Sequence, residues 1–87
     1  MAGYDIRITV VSIKGHCGAD HKVGDQWTVS GKTPDGICLS AFSALYPNLR
    51  CLQYGGTFPW GPDADTSLVA CPDGENPVIF ELKRLKQ

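Results

Sequence analysis

Thr33–Trp60, TPDGICLSAFSALYPNLRCLQYGGTFPW, decides the fold. It holds the only long stretch with helical spacing, two of the four cysteines and a Gly/Pro/aromatic loop, and it separates two groups of strand-like segments. Cys38, Phe42, Leu45, Leu49 and Leu52 recur at alternating intervals of four and three, so on a helix they form one apolar stripe with Ser40 and Ser43 turned away. Thr33-Pro34 reads as a helix start, with Thr33 as the cap and Pro34 in the first turn, where its missing N–H costs nothing. Gly36 weakens that reading, because Pro34-Asp35-Gly36 is equally a β-turn that delays the helix to Ile37. Pro47 cannot donate to the carbonyl of Ser43 and biases Tyr46 away from helical geometry, at about 3 kcal/mol in a straight helix. The expectation is two helical pieces hinged at Pro47, the first ending near Leu45 and the second reaching Tyr54 before Gly55-Gly56 stops it.

Outward from this stretch the period changes from helical to two. Tyr4–Lys14 alternates Tyr4, Ile6, Ile8 and Val10 with Asp5, Arg7 and Thr9, and then Val11 and Ile13 are both apolar. That is a strand whose second half is covered on both faces, or bulged so that its inward face switches. Gly15–Asp25 is a glycine-rich loop closing on a tight Val23-Gly24-Asp25 turn, and Gln26–Ser30 is a short strand with Trp27 and Val29 on one face. After the Gly55–Thr66 loop, Ser67–Cys71 and Pro77–Leu85 are strands joined by CPDGEN, and Val78, Phe80 and Leu82 alternate with Glu81 and Lys83. The order β-β-α-α-β-β predicts an α+β fold: an antiparallel sheet of about four strands, flat or curled, with the Pro47-broken helical segment packed on one face.

Size and charge set the outer limits. The 87 residues form one domain, 1–87, with a thin core, since a chain this short buries roughly 60–65% of its unfolded surface, and homo-oligomerisation is a natural expectation. Eight basic and nine acidic residues, net charge −1, lack the electrostatic footprint of a nucleic-acid or anionic-lipid partner. Lys83, Arg84 and Lys86 cluster near the C-terminus and read as a solvated or edge-protecting face. The N-terminal MAGYDIRITVVSIKG has no secretory pattern, and no apolar run approaches the roughly 18 residues of a membrane span. A cytoplasmic protein with no membrane partner is expected, its cysteines reduced.

The motifs GHC…HKVGD, GKTPDGICLSAFSALYPNLR, GGTFPW and CPDGENPVIFELKRL together resemble a functionally uncharacterised family of small prokaryotic proteins of about ninety residues. The likeness spans nearly the whole chain. It implies a stand-alone domain and brings no activity with it.

Chemistry has three candidate locations. His16-Cys17-x-x-x-His21, joined by Cys71 or Cys38, offers thiolate and imidazole ligands for Zn or Fe(II), so Cys17, His21 and Cys71 are the candidate metal ligands. The spacing lacks the paired C-x-x-C of structural zinc sites, and the ordinary alternative has His21 in a loop hydrogen bond and Cys17 merely buried. Cys38, near the predicted helix start, is the candidate catalytic thiol of a small enzyme with His21 or His16 as base, although its stripe position equally makes it a core residue. Phe58 and Trp60 are candidate ligand-binding or subunit-contact aromatics, or else a plug folded onto the core. Asp63-x-Asp65 lacks the further oxygen ligands of a calcium loop, and no P-loop, dinucleotide-binding or G-x-S-x-G pattern is present. The leading expectation is an accessory domain binding a metal or small molecule. A thiol enzyme and a protein-interaction module are the alternatives.

Overall fold

Two long strands with strict alternation make the centre of the sheet. The computed structural model describes residues 3–15 and 21–85. β1 (Asp5–Ile13) and β4 (Val78–Leu85) lie side by side, flanked by β2 (Gln26–Val29) and β3 (Thr66–Ala70), in the antiparallel order β2-β1-β4-β3. The sheet stays open, with β2 and β3 at its edges. Ile6, Ile8 and Val10 of β1 and Val78, Phe80 and Leu82 of β4 point to one face and are fully buried. The β1–β4 register shifts between Val10 and Ser12, so Val11 is turned out to solvent and Ile13 returns to the core. The two consecutive apolar residues at Val10-Val11 are thus a bulge, which lets both find a tolerable face.

Among the described residues a single helix, α1 (Leu39–Gln53), covers the apolar face. It runs unbroken through Pro47, which corrects the expected hinge into two pieces. The reason lies in the faces: Ala41, Leu45, Leu49 and Leu52 are buried on both sides of the proline, while Pro47 and Ser43 are exposed. The Ser43 carbonyl that loses its donor therefore faces water, and burial of each leucine, about 1.5–3 kcal/mol, holds both halves on the sheet. Ala41 takes the central place foreseen for Phe42, which is half-buried at the flank. α1 lies over β3, β4 and β1 but not over β2. Among the described residues no helix is long and apolar enough to cross a membrane.

Arg84 corrects the reading of the C-terminal charges as a solvated face. Continuing the alternation of Val78, Phe80 and Leu82, it points inward and is 5% exposed. Its Nε pairs with Asp65 Oδ1 at 3.0 Å, Nη1 donates to the carbonyls of Leu52 (3.0 Å) and Gly56 (2.9 Å), and Nη2 to that of Ala64 (2.7 Å). The guanidinium also faces the Tyr4 ring at 5.3 Å. One planar fork thus ties the C-terminal end of α1 to the 55–65 loop.

Candidate functional site

The other end of α1 is built differently. Gly36 takes φ +86°, the left-handed conformation a turn requires there, and the helix begins only at Leu39, past the Thr33 start and past Ile37. Cys38 is the N-cap, with extended backbone (φ −58°, ψ 132°), no side-chain cap bond and no acid in the first turn. Its amide is instead held from across the fold, donating to Nε2 of His21 at 3.0 Å. An imidazole that accepts at Nε2 is neutral and carries its proton on Nδ1. The ring is 7% exposed and stands edge-on to Trp27 (5.2 Å, 71°) and Phe80 (6.1 Å, 82°). His21 is thus a strut between the core and the helix start.

Beside that start lies a cleft of about 660 Å³. Ser40 and Ala41 come from the helix and Cys38 from its N-cap, Cys71 and Val78 from the strand ends, and the remainder from the 71–77 loop. Two thiols far apart in sequence therefore line one cavity. Cys71 Sγ accepts the Val78 amide at 3.2 Å, and the Cys71 amide donates to the Val78 carbonyl at 2.9 Å, which fixes the sulfur at the mouth of the loop. Asp73 Oδ1 accepts the amides of Glu75 and Asn76, both at 3.0 Å. Those bonds, that from Asn76 first, hold the Asp73 carboxyl below its ordinary 3.8, so this wall carries a fixed negative charge at neutral pH. Gly15, at φ +79°, abuts Asn76 so closely that a Cβ there would collide with the Asn76 side-chain oxygen.

The sequence-nominated residues divide accordingly. Cys38 and Cys71 share the cleft, while His21 meets Cys38 through the backbone amide. His16 and Cys17 lie outside the described residues. Among the described residues no group of three or more His, Cys, Asp or Glu side chains is placed to hold a metal ion. The rings of Phe58 and Trp60 lie 5.4 Å apart, tilted by 39°, but part company in burial: Phe58 packs on the core, whereas Trp60 is 75% exposed. Neither lines this cleft. Cys38, Cys51 and Cys71 are free thiols.

No family model, curated protein or solved structure matches this chain.

What the sequence did not announce is the contribution of the CPDGEN connector. Read as a plain turn, it supplies most of one wall, and the available sign was its cysteine followed by the Asp73-x-Glu75 acceptor–donor spacing of an Asx-type turn.

Proposed function

We propose that this chain is a small accessory binding domain that seats a dipolar small molecule, or more narrowly a soft metal ion, against the thiols of Cys38 and Cys71. The observation that carries this reading is the meeting of the two cysteines on one cleft of about 660 Å³, within the range of roughly 300–1,000 Å³ usual for small-molecule sites. Polarity supports it. The first-turn amides of α1 have no partner within the helix and carry the positive end of its dipole. Asp73 and Glu75 bring negative charge, and no described lysine or arginine lines the cleft. A ligand with an electron-rich and an electron-poor end fits both walls, and thiols kept free in a reducing cytoplasm add soft donors. Membership of the small prokaryotic family that the motifs resemble belongs to the same proposal and adds no activity to it.

Ligand-observed NMR on anaerobically purified protein tests this, using zwitterionic, cationic and anionic molecules of similar size together with Zn²⁺ and Fe²⁺. Zwitterions or a metal should bind, and the double variant Cys38→Ser, Cys71→Ser should weaken them by about tenfold or more with little change in Tm. Binding that ignores the double variant, or that is confined to anions, defeats the reading.

A second reading, a homo-oligomeric or protein contact through Trp60, is favoured by the exposure of that ring beside the anchored Phe58. Native mass spectrometry checks it: an assembly state unaltered by Trp60→Ala removes it.

A further inference from the structure

Because α1 does not lie over β2, a groove opens between the outer flank of the helix and the segment that follows β2. Its accessible apolar surface is half-buried Phe42 and exposed Tyr46, over the buried Val29 and Leu49, and its cations are Lys32 and Arg50, with no described carboxylate in the lining. The groove measures about 170 Å³ and shares Ser30, Gly31, Arg50 and Gln53 with an adjoining cleft of about 300 Å³, where Asp5 stands with Tyr4. Together they reach the size of ordinary small-molecule sites.

Arg50 is held rigidly there. Its Nη1 donates to Gln53 Oε1 at 2.9 Å and its Nη2 to the Tyr54 hydroxyl at 2.6 Å, while its guanidinium lies 4.8 Å from the Tyr54 ring and 6.0 Å from the Tyr46 ring. Gln53 is itself 3% exposed and anchored, donating from Nε2 to the Ser30 carbonyl at 2.7 Å. A buried amide thus fixes the rotamer of a half-buried guanidinium, and two of its five N–H donors are engaged. No described carboxylate pairs with it. A pre-oriented guanidinium in no ion pair with a described carboxylate, beside a lysine and the rings of Phe42 and Tyr46, is complementary to an anion carrying an apolar body, while Asp5 in the adjoining cleft sets which end of the site the anion avoids.

We propose that this groove is a binding site for a small organic carboxylate with an apolar or aromatic body, distinct from the thiol-lined cleft at the helix start. The carboxylate takes the free N–H donors of Arg50 and the ammonium of Lys32, and the body lies against Phe42 and Tyr46.

The test uses the ¹⁵N-labelled full chain titrated with phenylacetate, with the neutral phenylacetamide and with inorganic phosphate. Phenylacetate should give saturable shifts at Gly31, Lys32 and Thr33, with the amide and phosphate each bound about tenfold more weakly or worse. Arg50→Gln should weaken phenylacetate by a similar factor. Lys32→Gln, an exposed change that leaves the fold intact, should weaken it by a smaller but measurable factor, which keeps the proposal decidable even if Arg50→Gln lowers stability. Equal binding of the amide, equal binding of phosphate, shifts centred on Cys38 and Asn76 instead, or no saturable shift would each overturn it.

Discussion

The two ends of α1 solve the same physical problem in opposite ways. At the C-terminal end the Leu52 carbonyl and the loop beyond it converge on one buried guanidinium, Arg84, which donates to Leu52, Gly56 and Ala64 and pairs with Asp65. At the N-terminal end a single imidazole takes the amide of Cys38, no side chain caps the first turn, and the space beyond is a thiol-lined cleft. Polar groups satisfied internally have little left for a ligand, whereas groups left facing a cavity are where binding energy is available. The closed end is architecture and the open end is the place to look for function.

Replacing Arg84 with methionine strikes the closed end hardest. It keeps the volume but removes the donor of three carbonyls and the partner of Asp65, so a loss of about 3–5 kcal/mol is expected in denaturant unfolding. A loss under about 1 kcal/mol would mean that water replaces the fork and that this end is not closed at all.

Gly56→Ala sharpens the same point. A Cβ there runs into Cys51 Sγ and crowds the Cys51 carbonyl, which the Gly56 amide already contacts at 2.8 Å. About 1–3 kcal/mol of destabilisation is expected, and Cys51→Ala in the same chain should restore part of it. If the two changes are simply additive in thermal melts, the collision is not what limits the site.

At the open end the comparison turns on His21. His21→Ala leaves the Cys38 amide without its acceptor and opens a gap beside Trp27 and Phe80, for about 1–3 kcal/mol, while His21→Gln, which offers an oxygen acceptor on a chain of similar reach, should recover part of that. Hydrogen exchange of the Cys38 amide reads it directly. Equal exchange in both variants would show that the ring acts by packing alone.

The smallest effect is acid titration of the 71–77 loop. The folded Asp73 carboxyl is held below 3.8 by the Asn76 and Glu75 amides, so the unfolded chain takes up the proton first as pH falls. Its contribution is therefore complete above the ordinary value and is lost as pH drops through the depressed one. Asp73→Asn keeps an oxygen acceptor but cannot titrate, so its Tm should fall less steeply than the parent's below about pH 4. Identical acid slopes would contradict the turn geometry. Asp63, depressed by the Asp65 amide and then the Thr66 hydroxyl, should behave alike in the loop at the closed end.

Much of the fold was legible because local pattern and burial agree. The alternation in Tyr4–Lys14 and Pro77–Leu85 gave the central strands, with a bulge as one of two readings of Val10-Val11, and the four-and-three spacing gave the helix. Pro47 was misread because a sequence shows the lost hydrogen bond but not that the freed carbonyl faces water. Arg84 was misread because charge was weighed above phase: two residues beyond Leu82 on an alternating strand is an inward position, whatever side chain occupies it.

The candidate site was less legible. Cys38, Cys71 and His21 were singled out as residue types with reactive chemistry, but spacing along the chain says nothing about which of them meet. By itself the sequence determined the α+β class, the antiparallel strands and the buried stripes, since those follow from the period of the apolar side chains. Only the tertiary structure decided that Cys38 and Cys71 share a cleft, that His21 faces an amide, and that Arg84 is an internal clamp. Those are contacts between segments 17 to 33 residues apart, set by how the helix lies across the sheet rather than by any local preference.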